Sequence, residues 1–290
     1  MEKLNTKLLE DTVGANADNI ASTDDNLSAD ALFQQVSLPS LGRQIFSVIP
    51  LNGPTGALFN IRKKKLSNDF ELLRKDVQCY PSVSIHTGLT QEAFQDVMSQ
   101  FGKNGNKVIG LLLRGLANEQ ENARTLEFLE NNSLDSGNFK LSAPENAETI
   151  IFEITQQIHK LILRMNSKYL RTYSAFAVLP YSIGAAFMSL KEYMTDKEHE
   201  LDELYISKVG KTRFFMSPDP NATKVFVGLK DSSNPSKSSA VFSPYASNVV
   251  TSIDPDTGAA FYHIYNRFAI TASPLHTVDD EMLFKFKVTK

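Results

Sequence analysis

Between Thr223 and His276 the chain alternates strand-like runs with clusters of turn residues, and it carries there its densest aromatic and β-branched content. Val225, Val227 and Leu229 share one face of a strand, with Lys224, Phe226 and Gly228 between them. Asp231–Ser239 is turn chemistry, too polar to expect in the interior. Val241–Tyr245 restarts a strand, and Pro244, which brings no N–H to a ladder, assigns it to an edge. Asp254-Pro255-Asp256-Thr257-Gly258 predicts a hairpin turn, and Ala259–Thr271 the long return strand. A C-terminal quarter of this kind reads as sheet.

Upstream, the pattern changes period. Gly105–Asn131 repeats apolar residues (Val108, Ile109, Leu112, Leu113, Leu116, Ala123, Leu126, Leu129) at three- and four-residue steps, with Arg114, Glu119, Glu121, Arg124 and Glu127 on the other face. At 1.5 Å per residue such a helix spans about 40 Å. Ser142-Ala143-Pro144-Glu145 reads as a helix start, with Glu at capping-box spacing, and the helix then runs to about Lys168 over Ile151, Ile154, Ile158, Leu161, Ile162 and Met165. Ser174–Leu179 predicts a short apolar strand, Pro180 begins a further helix through Leu190, and Tyr205–Met216 and Lys224–Lys230 add strands. Short helices are expected at Ala31–Val36 and Thr90–Met98, and an extended run at Gln44–Ile49.

Asn52-Gly53-Pro54-Thr55-Gly56 is a rigid turn. From Ala57 to Val83 follow two extended arms, Leu58-x-Asn60-Ile61 outward and Val77–Val83 back, around a charged middle with no core pattern. A two-stranded hairpin of this kind buries little and is unstable alone, so it must lie on another surface. Arg62-Lys63-Lys64-Lys65 is the one cationic cluster; a solvated flank, pairing with a neighbouring subunit and contact with DNA all remain open for it.

Two sets of these residues carry a family resemblance. Gly228, Phe242-x-Pro244-Tyr245, Asp254-Pro255-x-Thr257, Arg267 and Pro274 resemble the C-terminal signature of the major capsid proteins of T-even-type (T4-like) myoviruses. Pro50-Leu51-Asn52-Gly53-Pro54-Thr55-Gly56, followed by Phe59 and Arg62, is similar to that family's Pro-Met-Asn-x-Pro-Thr-Gly segment. The motifs stand in the family's order, about 170 residues apart, and the similarity extends over most of Leu38 to His276. After Tyr245 the family continues Val-Pro-Leu, where this chain reads Ala246-Ser247-Asn248. The chain is also shorter than typical members, which implies that an outer-surface insertion domain is missing.

The resemblance implies an α+β, HK97-type capsid fold. Its parts would be an N-terminal arm (1–37), the start of a P-domain (38–56), an extended E-loop (57–83) and the P-domain with its spine helix (84–141). An A-domain (142–222) and C-terminal strands shared between A- and P-domains (223–290) would complete it. It also implies self-assembly into hexamers and pentamers of an icosahedral phage head around double-stranded DNA, with scaffold, portal, decoration or vertex proteins as further partners. The product would be a virion component assembled in the host bacterial cytoplasm. Leu8-Leu9-Glu10 resembles the Leu/Ile-x-Glu site cut by the maturation protease of this phage group, making Glu10 a candidate cleavage position. The same tripeptide pattern recurs at Ile151-Phe152-Glu153, Leu190-Lys191-Glu192 and Leu201-Asp202-Glu203, so the pattern alone does not single out Glu10.

Composition sets outer bounds. The net charge of −3 hides an acidic start: residues 1–30 hold seven carboxylates against Lys3 and Lys7, a net of −5, which leaves +2 for the remainder. Such a leader, poor in aromatics, is expected to order only against a partner, and the remainder is too weakly basic for specific nucleic-acid binding. The longest apolar runs, such as Val108–Leu113, are too short to cross a bilayer, and no secretory leader is expected. Cys79 stands alone, which suits a reducing compartment.

Each catalytic pattern breaks down. Gly210-Lys211-Thr212 ends like a phosphate loop, but Tyr205 occupies the first glycine position and a strand follows. His199-Glu200 lacks the second histidine of a zinc-protease motif, because Glu203 stands there. Asp254-x-Asp256-x-Gly258 lacks the later ligands of a calcium loop. No cofactor, metal or catalytic residue is expected. A vertex-only or minor shell paralogue shares the same motifs and stays open beside the shell reading. From other classes, a phosphate-handling enzyme built on Gly210–Thr212 and a monomeric binding module are the alternatives.

Overall fold

The structure, a computed structural model, describes residues 39–63, 70–81, 83–90, 92, 95–96, 99, 105–169, 174–189, 204–231, 238–256, 259–274 and 282–289. The expected helix at Ala31–Val36, the His199-Glu200 pair and Glu10 lie outside them.

The chain builds α1 (Leu41–Ile45), β1 (Ser47–Val48), β2 (Thr55–Lys63), β3 (Phe70–Gln78), β4 (Val83–Leu89), α2 (Gly105–Asn132) and β5 (Leu134–Lys140). There follow α3 (Ala147–Tyr169), β6 (Ser174–Leu179), α4 (Tyr181–Ser189), β7 (Tyr205–Val209), β8 (Thr212–Met216) and β9 (Lys224–Lys230). The last strands are β10 (Ala240–Ile253), β11 (Ala260–Ala272) and β12 (Leu283–Thr289). They form a four-stranded sheet (β1-β10-β11-β4), a six-stranded sheet (β5-β12-β9-β6-β8-β7) and the separate β2–β3 hairpin.

The six-stranded sheet is covered on both faces, which explains a central strand with no polar side. Val225, Val227 and Leu229 of β9 point with Ala175, Ala177 and Leu179 toward α3 and α4, where Ile151, Ile154, Ile158 and Phe187 close the layer. Phe226, Phe176 and Val178 point the other way, into a core shared with α1, the end of α2 and Phe242, Phe268 and Ile270 of the four-stranded sheet. This second core joins the two sheets. Gly228 lies between Phe176 of β6 and Leu283 of β12, and a Cβ there would sit 2.5 Å from the Phe176 ring and 2.7 Å from Leu283. Only a residue without a side chain fits.

Several expectations need correction. Gln44–Ile49 is not one extended run: Leu41–Ile45 is helical, because Asn122 caps Leu41 from the long helix. The second long helix starts at Ala147, and its cap is Asn146, whose Oδ1 accepts from the amides of Glu148 and Thr149; Ser142 instead binds Glu153. The hairpin's return arm begins at Phe70 rather than Val77, and Val83 already belongs to the four-stranded sheet. Ser238 and Ser239 are buried, despite their polar run. Ser239 Oγ accepts from the Leu229 amide and donates to the Met282 carbonyl, so each hydroxyl replaces a missing ladder partner. Leu134–Lys140, which carries no strand pattern in its sequence, is an edge strand of the six-stranded sheet, paired in parallel with β12.

Candidate assembly surfaces

The two distant motifs meet in space. After β1 the chain runs on beside β10: the Ile49 amide donates to the Phe242 carbonyl at 3.0 Å and the Leu51 amide to the Pro244 carbonyl at 2.9 Å. The ladder between β10 and β11 shifts register between Pro244 and Ala246, a bulge that makes Tyr245 the extra residue. Arg267 of β11 holds its guanidinium 5.5 Å above the Tyr245 ring. Pro54 accepts from the Cys79 amide at 3.0 Å, which closes the hairpin at its base. Leu58, Val77 and Cys79 are buried there with Val241 and Ala269, flanked by Ile49, Leu51 and Tyr245. Cys79 packs in this core, and burial pushes its thiol up, only partly opposed by Arg267.

The hairpin is therefore anchored more firmly than its sequence suggests. Its base is core, because Leu58 and Val77 alternate inward on paired strands, and Leu73 packs onto the core under α3. Farther out it exposes apolar groups: Phe59 is 51% and Leu72 64% exposed.

Other motif residues are spread between the core and the surface. Phe242 is fully buried, stacked on Phe268 at 5.3 Å with Arg43 above it at 5.1 Å. Pro274 is buried just beyond β11. Asp254 and Pro255 lie at the far end of the β10–β11 ribbon, where the Asp254 side chain accepts from the Asp256 amide; Thr257 falls outside the described residues. Pro50, Asn52, Pro54 and Thr55 are exposed and Gly56 half-buried. Arg62 stands opposite Glu71 and Lys63 opposite Phe70, toward the hairpin's outer end, while Lys64 and Lys65 are outside the described residues.

Glu121, which its sequence pattern groups with the polar face of α2, is buried. It belongs not to a solvated face but to the interior, 1% exposed. Both its oxygens bind Arg43, at 3.0 and 2.8 Å, and Asn266 donates to Oε1 at 3.0 Å. Burial alone would raise this carboxyl, but the hydrogen bonds from Arg43 and Asn266 outweigh it and hold the pKa below the ordinary value. Asn122 accepts from the Leu41 amide and donates to the Pro39 carbonyl. Two consecutive side chains of α2 thus grip the segment that enters the fold. The available signal was spacing: Leu113, Ala117, Glu121, Thr125 and Leu129 recur every fourth residue, and all five are buried.

Further apolar groups face outward on the helical layer, Phe152 and Leu163 on α3 and Tyr181 and Met188 on α4. Gly210, at φ +62°, makes the tight turn of the β7–β8 hairpin, so Gly210-Lys211-Thr212 precedes a strand. Among the described residues no group of three or more His, Cys, Asp and Glu side chains is placed to hold a metal ion, and no helix is long and apolar enough to cross a membrane.

No family model matches the chain, and no curated protein does. Solved structures do. The mature capsid of bacteriophage PhiM1 aligns over 93% of this chain and 90% of its own, at 11% identity and TM-score 0.51. The capsid of cyanophage P-SCSP1u aligns over 88% of each chain at 7% identity and TM-score 0.52. The SrpI encapsulin of Synechococcus elongatus PCC 7942 aligns over 95% and 94% at 12% identity and TM-score 0.50. The chain has the HK97-type fold, mixed α and β, that these shell structures share.

Proposed function

We propose that this chain is a structural shell protein, the self-assembling subunit of a phage head that encloses double-stranded DNA. The observation that carries the reading is likeness to capsid subunits over 93% and 88% of the chain. The exposed Phe59 and Leu72, on the outer part of the hairpin, suit a subunit whose neighbours complete its surface. Their burial by neighbours, repeated around a closed lattice, would supply the association energy, since each apolar side chain removed from water contributes about 1.5–3 kcal/mol. The motifs at Pro50–Gly56 and Phe242–Tyr245 support placement among the T4-like myovirus heads, with hexamers and pentamers as the building units.

In that placement the hairpin is the E-loop, α2 the spine helix, and α3 and α4 part of the domain around each capsomer axis. Scaffold, portal and decoration proteins are the expected further partners, and packaged DNA a non-specific one. A vertex-only role would use the same residues and differ in copy number per particle.

Expression of the chain followed by size analysis and negative-stain imaging tests the reading. Shells, tubes or capsomer rings are expected. A chain that stays monomeric at high concentration, alone and with candidate scaffold, sinks it.

A further inference from the structure

We infer that the open side of β10, residues 246–253, pairs antiparallel with the same strand of a second copy across a two-fold axis, joining two four-stranded sheets into one. This rests on the shell reading and adds to it a specific edge-to-edge contact between subunits.

Among the described residues, only the start of β10 is covered on this side. Ser47 and Val48 pair with Val241 and Phe242, Leu51 reaches Pro244, and the chain then turns away into the hairpin. From Ala246 onward β10 bonds β11 on one side and, among the described residues, no strand on the other. Ser247, Val250, Thr251, Ser252 and Ile253 are all exposed. Eight residues of extended chain, about 26 Å, present a row of N–H and C=O groups that is a template for another strand.

Composition separates this edge from others in the molecule. Protein edges are blunted by charge, proline, shortness or irregularity. Strand β3 carries Glu71, Arg74, Lys75 and Asp76; β5 carries Asp135, Lys140 and a Gly137 at φ +92°; β7 is five residues long and includes Lys208. The run Ala246-Ser247-Asn248-Val249-Val250-Thr251-Ser252-Ile253 has no charge, no glycine and no proline, and half of it is β-branched Val, Thr or Ile. Left open, it would invite indiscriminate pairing.

The same strand of a second copy is the occupant that fits. A two-fold axis sets the run against itself, where the absence of charge leaves nothing to repel, and it yields the antiparallel ladder, the stronger of the two kinds. The other edge of this sheet, β4, runs parallel to β10, since both are antiparallel to β11. Joining β10 to β4 of a copy in the same orientation would give the weaker parallel pairing and an endless ribbon. Self-pairing ends after two copies. Val250 stands beside His263 and Ser252 beside Phe261 in the ladder, so the exposed Val250 would line the joint with the exposed Phe261 one strand behind it on the same face.

Single cysteines introduced one at a time at positions 247 to 252, with the buried Cys79 kept, test this in concentrated or assembled protein under oxidation. Disulfide dimers are expected at the one position on the axis, where a residue faces itself within about 5.5 Å, and to fall away on both sides. Cross-linking at no position or equally at all of them overturns the proposal. So does a Val250→Cys chain that links only to Ile85→Cys on β4 or to Phe59→Cys on the hairpin. As a second arm, Val250→Lys is expected to keep its circular dichroism and lose at least tenfold in shell yield, with co-expressed Val250→Glu restoring it. Undiminished shells from Val250→Lys overturn the edge pairing and leave the shell reading intact. Dimers through the edge in a chain that makes no larger assembly do the reverse.

Discussion

The backbone amide of Leu51 donates to the carbonyl of Pro244 at 2.9 Å, and this one bond joins the two sequence motifs at the base of the hairpin. Pro244 cannot donate, yet its carbonyl remains free to accept, and the bulge that follows places Tyr245 under Arg267. Replacing Leu51 by proline deletes the donor without deleting the carbonyl. A loss of about 1 kcal/mol in urea unfolding is expected, together with faster protease cleavage of the hairpin. Unchanged cleavage would mean that the bond does not hold the arm.

Gly228→Ala puts a methyl group where Phe176 and Leu283 already touch the backbone. Neither neighbour can move freely, since each is almost wholly buried. Overpacking of this kind costs about 1–3 kcal/mol, and a second change, Phe176→Leu, is expected to recover part of it. A urea midpoint for Gly228→Ala equal to that of the unaltered chain counts against the tight three-strand packing.

Much of this architecture was legible because its signals are local. The extent of α2 and the far end of α3 follow from apolar periodicity, β6 from an apolar run bounded by Pro180, and the β10–β11 ribbon from the Asp254–Gly258 turn. What escaped was set by tertiary contact. Glu121 reads as a surface residue until Arg43, 78 residues away, arrives to neutralise it. Ser238 and Ser239 read as loop until Asp231, Leu229 and Met282 offer partners. β5, with Asp135, Ser136, Gly137 and Asn138, has no strand pattern of its own and is held by pairing to β12. Among the motif residues, sequence likeness marked positions without saying why they are fixed. Packing supplies a reason for Gly228 and Phe242.

Arg43→Ala leaves the Glu121 carboxylate buried with neutral donors such as Asn266 and no cation, and about 3 kcal/mol of stability is expected to be lost at pH 7. The pH dependence carries a second signature. The folded-state pKa of Glu121 is depressed, so its contribution is present above the ordinary value of 4.5 and is lost as pH falls below it. In Arg43→Ala the acid limb of a stability–pH curve should flatten, because the depression has lost its main cause. An acid limb as steep as that of the unaltered chain would assign the effect to other carboxylates, Glu130 with Lys224 and Lys285 being the first to test.

Lys230 is pushed down to about 8 by burial and by the nearby Arg213, while its amine reaches the Gln44 carbonyl at the end of α1. Between pH 8 and 10.5 the unfolded chain holds this proton and the folded chain does not, so stability rises with pH across that window. Lys230→Met is expected to remove the rise and to gain about 1–2 kcal/mol at pH 7, where the buried charge is costly. Thermal melts kept below pH 9.5 avoid Tyr80 and Tyr262, whose raised values work in the opposite direction as they begin to titrate. A rise that survives the substitution would place it elsewhere.

Phe59 and Leu72 decide between a hairpin that serves its own subunit and one that serves neighbours. Both are more than half exposed, so Phe59→Ser or Leu72→Ser should change the stability of the isolated chain by no more than about 0.5 kcal/mol. In an assembled lattice the same groups would be buried, and each loss would cost about 1.5–3 kcal/mol per contact, repeated at every subunit. The critical concentration for assembly should therefore rise at least tenfold while the unfolding midpoint stays put. Leu58→Ala, one residue from Phe59 but facing the core, supplies the contrast: there the midpoint should fall by about 2–4 kcal/mol in free energy. If Phe59→Ser and Leu72→Ser lower the midpoint as Leu58→Ala does, the outer hairpin is packed on its own body, and its part in joining subunits has to be given up.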